Sequence, residues 1–315
     1  MIEPAVVFLR LAQYIGAMIL TGSSLFFLYA LPLSGVASAA QARWTRRLLV
    51  CAALLLAMTA LLGIAAQSAV LAGSVSEGLK VETLSAVVSG MDLGKAAIVR
   101  AAAALAAALL LVLLSPSRLS WLVAAVLGMI ATASLAWMGH GAATEGASGQ
   151  VHLASDILHA LAAAVWIGAL IAFFCLLAAR SRSAETNEVL YGALRRFSGV
   201  GSALVAVLVA TGLVNSWILV GPDRMEGLWT TSYGQLLSLK LVLFVGMLGL
   251  AAANRFRLTP ALARAKSSAS SDAALLTLRR SIALEAQLRL AVLLHEARYA
   301  TLPPPATGKH RRSKR

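Results

Sequence analysis

The sequence predicts an all-α protein: a polytopic transmembrane helix bundle of about eight spanning helices, with its N-terminus extracytoplasmic. Three observations lead there. Of 315 residues, 59% are hydrophobic and 13% charged, and the mean hydropathy is +0.82. The apolar residues come in runs long enough to cross a bilayer, which takes ~20 residues because in lipid each backbone N–H and C=O must be bonded within its own segment. The basic residues gather in alternate connections between those runs, the pattern that orients membrane helices.

The first run covers 5–31 and follows Met1-Ile2-Glu3-Pro4. Ala37-Ser38-Ala39 behind it has the look of a cleavage site. The start lacks a basic leader, however, and the run is longer than the apolar part of a signal peptide, so it reads as the first span. Further runs cover 46–72, 91–114, 119–138, 152–178, 197–220, 236–254 and 280–300. No soluble segment between them is long enough to stand alone. The organisation expected is therefore a single transmembrane domain over 1–300 and a basic, disordered tail over 301–315.

Connection charge sets the orientation. The odd connections carry Arg43, Arg46 and Arg47; Arg118; Arg180, Arg182, Arg195 and Arg196; and Arg255, Arg257, Arg264, Lys266, Arg279 and Arg280. The even ones carry Lys80 and Arg224. Fourteen against two puts the odd connections in the cytoplasm and the N-terminus outside. The eighth run fits least well. Glu285, Arg289, His295, Glu296 and Arg298 fall within it, and a central charge costs ~2.5–3.5 kcal/mol unless it is paired or reaches the interface. Glu285 and Arg289 are spaced to pair. A spanning eighth helix leaves the tail from Lys309 to Arg315 outside, against the charge rule; a re-entrant or interfacial segment keeps it inside.

The net charge of +14 does not indicate nucleic acid, because the cations mark topology rather than one basic face. Cys51 and Cys175 each stand alone in an apolar run, which reads as buried small side chains rather than a disulfide or thiolate site.

With this orientation, Arg10, Asp92, Lys95, Arg100, His152, Asp156, His159 and Lys240 all fall in the outer portions of inward-running helices, and His140 and Asn215 near the outer ends of outward-running ones. The inner half of the first seven spans is nearly free of such groups. Ionisable residues within a membrane usually face a bundle interior or a wet cavity, so the asymmetry marks a site; the plainer alternative is that these side chains extend to the outer headgroups. Arg100, roughly 13 Å along its helix, is too deep for that and should face the bundle with Lys95, near Asp92 or the histidines.

The densest constellation is His140, a short Gly-rich connection, then His152-x3-Asp156-x2-His159. Positions i, i+4 and i+7 share one helix face, and the connection brings His140 alongside. Imidazole suits copper, zinc, iron or nickel, and a neighbouring carboxylate serves as ligand or orients a ring. Met129 and Met138 offer soft thioethers, though packing accounts for both. An interhelical hydrogen-bond network is the structural alternative.

At these residues the sequence resembles the copper resistance protein D family of bacterial integral membrane proteins. The resemblance runs from Gly139-His140 through His152-Leu153-Ala154-Ser155-Asp156-Ile157-Leu158-His159 into Trp166-Ile167-Gly168. It continues over Arg196-Phe197-Ser198, Thr211-Gly212-Leu213-Val214-Asn215-Ser216-Trp217, Thr231-Ser232-Tyr233-Gly234-Gln235, Lys240 and Asn254-Arg255-Phe256-Arg257, ending at Leu278-Arg279-Arg280-Ser281. The resemblance implies an eight-helix, multi-pass protein of the inner membrane that moves or handles copper between periplasm and cytoplasm, alongside a small periplasmic copper-binding protein. It departs from the family at Leu293-Leu294-His295-Glu296-Ala297-Arg298, which interrupts a last helix that is otherwise apolar.

The local charge raises a difficulty, since Arg10, Lys95, Arg100 and Lys240 outnumber Asp92 and Asp156 and cations disfavour a cation site. Either those side chains lie on other faces, or the occupant is anionic overall, as haem b is, with two histidines on its iron and Arg or Lys on its propionates. Three functions follow: a copper transporter with His140, His152, Asp156 and His159 as metal residues and Asp92, Lys95, Arg100, Asn215 and Lys240 in support; a haem-binding electron-transfer protein; or a membrane scaffold. No nucleophile–base motif or phosphate-binding loop argues for an enzyme or for ATP hydrolysis.

Overall fold

The structure, a computed structural model, describes residues 2–31, 39–139, 146–178, 184–219 and 232–258, with isolated positions between 276 and 293. The first apolar run forms a rod in three pieces, α1 (Ile2–Met18), a π turn (Ile19–Ser23) and α2 (Ser24–Ala30). Pro4 lies in the first turn of α1, where its missing N–H leaves no helical bond unmade. Next comes α3 (Ala39–Ala72), which stops at Gly73 with φ of +75°, the left-handed conformation that glycine adopts without strain.

The connection that follows folds into two short helices that hydropathy alone does not mark, α4 (Val75–Gly78) and α5 (Val81–Gly90). The first is capped by Ser74, whose Oγ accepts from Glu77 N at 3.2 Å. Then come α6 (Asp92–Leu113) and α7 (Arg118–Ala133). A reciprocal box opens α7: Ser117 Oγ accepts from Ser120 N at 3.2 Å, and Ser120 Oγ from Ser117 N at 2.8 Å. This helix tightens into a 3₁₀ segment (Ser134–Met138) before the chain reaches α8 (Ala147–Ala178), α9 (Ala184–Leu219) and α10 (Ser232–Ala253). A second π turn (Asn254–Leu258) extends α10.

Among the described residues every regular element is helical, and six helices are long and apolar enough to cross a membrane: Pro4–Ala30, Arg43–Ala72, Asp92–Leu113, Arg118–Met138, Ser148–Leu176 and Gly192–Leu219. The all-α, multi-pass reading holds. With 22 residues, α10 fills the seventh expected run. The eighth, over 280–300, and the tail over 301–315 lie outside the described residues apart from isolated helical positions. Several helices begin well before the expected starts: α3 at 39 rather than 46, α8 at 147 rather than 152, and α9 at 184 rather than 197. Hydropathy marks only the lipid-embedded part of a rod, while Ala, Glu, Gln and Arg carry the helix further.

The centre of the bundle is the π turn. A Cβ on Gly22 would sit 1.9 Å from Ala164 O, and one on Gly168 would sit 2.4 Å from Gly22 C. The first rod and α8 therefore meet backbone to backbone, the close approach that small residues permit in membranes. Ser23 Oγ donates to Gly168 O at 2.9 Å, and Thr21 pairs with Thr132 of α7 at 2.8 Å.

The two ends of the bundle differ in chemistry. At one, rings interlock edge to face: Phe26 with Phe173 at 4.7 Å, Phe27 with Trp44 at 5.5 Å and Phe173 with Phe197 at 5.6 Å between centroids. Arginines close helix C-termini there. Arg196 donates to Ala30 O at 2.8 Å and Arg46 donates to Val112 O, giving the last carbonyls of α2 and α6 their missing donors. Of the polar side chains singled out from the sequence, His152, Asp156 and His159 on the early turns of α8 and Asn215 on the last turns of α9 lie toward the other end.

Candidate functional site

The site residues ride on the early turns of α8 and the last turns of α9. His152 is fully buried, and its Nε2 lies 3.9 Å from Asp156 Oδ2 one turn on. That is an electrostatic contact too long for a hydrogen bond. Asp156 is fixed from the neighbouring helix: Asn215 Nδ2 donates to its Oδ1 at 2.6 Å. One turn deeper, His159 Nδ1 meets Thr211 Oγ1 at 2.9 Å. The Thr211 hydroxyl already donates to Val207 O at 2.7 Å, so it accepts from the imidazole. Nδ1 is then the donor of the imidazole in this pair. Ser155 Oγ, donating to Thr211 O at 3.1 Å, locks the two helices in this register.

The predicted residues are thus partly brought together. His152, Asp156 and Asn215 form one contiguous group, with His159 below it against Thr211. His140 lies outside the described residues, but Gly139 before it is described, and a Cβ there would come within 3.9 Å of Asp156 Oδ2. The end of the α7 rod therefore does reach the start of α8. Among the described residues no three His, Cys, Asp or Glu side chains converge closely enough to hold a metal ion.

Of the supporting cations whose side chains are described, Arg100 faces the bundle interior. It is fully buried, with Nε donating to Ser134 Oγ at 3.0 Å, Nη2 to Ser134 O at 2.8 Å, and Nη1 to Met138 Sδ at 3.2 Å and to Gln13 Oε1. The expectation that Lys95 also faces the bundle is corrected. Lys95 pairs with Asp92 at 3.1 Å on an exposed face, with side chains 57% and 76% accessible. Nor does Arg100 lie beside Asp92. Asp92 occupies the first turn of α6, where the helix dipole favours a carboxylate, while Arg100 lies about 12 Å further along the axis. The helix α10 is described, but the side chain of Lys240 is not.

Gln13, Ser134 and Thr211 are partners the sequence reading missed. All three are uncharged residues inside apolar runs; Gln13 stands one turn from Arg10, and a polar amide there was the available signal. Gln13 also spans helices, donating from Nε2 to Thr59 O at 3.1 Å.

The sequence itself matches known proteins. The family profile described as copper resistance protein D-like, N-terminal domain, matches residues 1–150, and that described as copper resistance protein D matches 191–297. Over 307 residues, 96% of this chain and 97% of the relative, the sequence is 37% identical to copper resistance protein D of Pseudomonas syringae pv. tomato. The chain belongs to the copper resistance protein D family. Within that family's wider circle, it is 34% identical to the inner membrane protein YebZ of Escherichia coli strain K12 over 140 residues, 43% of this chain and 46% of the relative. It is 32% identical to the copper transport protein CutJ of Bacillus subtilis strain 168 over 170 residues, 54% of this chain and 28% of the relative. No solved structure matches. This copper resistance protein D family member is a multi-pass protein of the inner membrane. Neither the matched families nor these relatives are named as enzymes, and neither they nor the described geometry support the haem reading.

Proposed function

We propose that this protein handles copper at the inner membrane, taking it from the extracytoplasmic side through the polar end of the α8–α9 pair. The observation that carries the reading is the paired anchoring on one helix face: Asp156 held by Asn215, and His159 held by Thr211. A hydrogen-bonded partner on each ligand's far side is what metal-handling residues need in order to present a fixed tautomer and a fixed carboxylate. Copper is cargo here, passed among His140, His152, Asp156 and His159, with imidazole Nε2 and the carboxylate as donors.

The N-terminus and the 139–151 connection lie outside, as the charge of the connections requires, and the chain works as one transmembrane unit over 1–300. A small periplasmic copper-binding protein supplies the metal at that face. The name of the relative CutJ, a copper transport protein, supports movement across the membrane.

The test is cellular copper content in cells carrying equal membrane amounts of the parent and of His152→Ala, Asp156→Asn and His159→Ala. The reading requires altered accumulation in these variants. Parent-like copper content in all three would leave the cluster a structural network.

A further inference from the structure

We propose that the cavity between α1, α3 and α6 is a binding site for a small inorganic anion of the halide class, separate from the His152–Asp156 group and independent of the copper reading. Its lining includes Arg10, Gln13, Gly63, Gln67, Arg100 and Met138. Both guanidinium groups line the same small cavity. Among the described residues neither forms an ion pair with a carboxylate. The groups that do meet Arg100 are neutral: the Gln13 amide oxygen, Ser134 and the Met138 thioether. They satisfy its N–H groups without cancelling its charge. Arg10 is satisfied less well, since its Nη1 is buried without a hydrogen-bond partner.

Two like charges held together inside a membrane bundle are costly unless an opposite charge joins them. Among the described residues, the two carboxylates on the neighbouring polar turns are already engaged. Asp92 pairs with Lys95 at the surface, and Asp156 is held by Asn215 and faces His152. A mobile anion in the cavity supplies the missing charge and takes the orphaned Arg10 N–H. Size selects the class. The cavity volume is about 30 Å³, room for about two water-sized bodies, which suits a monatomic anion such as chloride or bromide better than a tetrahedral oxyanion. The Gln67 amide offers a further N–H donor, and apolar side chains such as Val6, Leu9 and Ile64 make the rest of the wall suited to a weakly hydrated halide.

The test uses the purified full chain in neutral detergent, melted by tryptophan fluorescence in sodium chloride, bromide, sulfate or phosphate at matched ionic strength. Binding to the folded state predicts a saturable rise in melting temperature with chloride and bromide only, and in Arg10→Gln a chloride midpoint weaker by about tenfold or more. An equal rise with all four salts, or an unchanged midpoint in Arg10→Gln, overturns the proposal. Because Arg10→Gln can fail to fold, chloride-35 line broadening by the parent protein, competed by bromide, reads occupancy without any variant; absence of broadening also overturns it. Adding phosphatidylglycerol to the micelles separates the sources. Broadening that survives supports a free halide, while its loss assigns the cavity to a lipid phosphate and ends the halide proposal.

Discussion

Met138 Sδ accepts a hydrogen bond from Arg100 Nη1 at 3.2 Å, so the thioether offered by the sequence as a soft metal ligand is turned to a guanidinium instead. The neighbouring Gly139 stands against Asp156. The 3₁₀ segment thus separates two polar systems, one built around Arg100 and one around His152 and Asp156.

Gln13 links Arg100 to two other helices. The amide oxygen takes one guanidinium N–H and the amide nitrogen ties α1 to Thr59 of α3. Gln13→Leu removes both and leaves a buried charged donor unmet, which is expected to destabilise the protein by about 1–3 kcal/mol. Met138→Leu removes only the weak sulfur acceptor and should cost less. Thermal unfolding of both variants in the same detergent ranks them, and a larger loss from Met138→Leu would refute the assignment.

The Gly22–Gly168 contact gives a packing prediction. Any side chain at either position meets backbone rather than a flexible tip, so the rods must separate. Gly168→Ala is expected to cost at least about 1–3 kcal/mol and to lower the folded fraction recovered from membranes. Gly246→Ala in α10, with nothing within 4 Å of the added Cβ, serves as the control and should behave like the parent.

The sequence carries the helical, multi-pass fold plainly because each spanning helix satisfies its backbone alone and so must be a long apolar run. The short helices α4 and α5 escape that logic, since they are held by a cap and by packing on their neighbours rather than by length. At the site, the spacing of His152, Asp156 and His159 places all three on one face, but spacing within a helix does not say what the next helix presents. Thr211 and Asn215 decide the orientation of His159 and Asp156, and their pairing depends on the register between α8 and α9. Likewise the depth of Arg100 could be read from its position, whereas its neutral partners come from two other segments, α1 and the 3₁₀ segment, brought together only by folding.

The cations of the connections predict the orientation proposed above. Ser148 is exposed near the start of α8, and Ala42 lies beside Arg43 at the opposite end. A membrane-impermeant thiol reagent applied from outside, in a background lacking Cys51 and Cys175, should label Ser148→Cys and spare Ala42→Cys. The inverse pattern would place the His152 group in the cytoplasm and remove the basis for capture of external copper.

Thr211 offers the sharpest separation of metal handling from packing. Its hydroxyl donates to Val207 O and accepts from His159 Nδ1, and on the proposed copper reading this contact orients the ring toward the metal. Thr211→Val keeps the shape and the β-branch but loses the acceptor. The imidazole is then free to adopt the other tautomer or to rotate, and loss of such an orienting partner typically lowers metal affinity or activity by about 10–100-fold. Thr211→Ser keeps the hydroxyl and should restore most of the function. A purely structural role predicts a different order: with copper absent from the argument, Val and Ser variants would differ in stability and expression but not in copper content per folded molecule. Copper accumulation measured at matched membrane levels, together with the melting temperature of each purified variant, distinguishes the two. A Thr211→Val protein that melts like the parent yet handles about tenfold less copper supports the histidine as a ligand; equal copper handling by Val, Ser and parent would assign His159 to the helix interface alone.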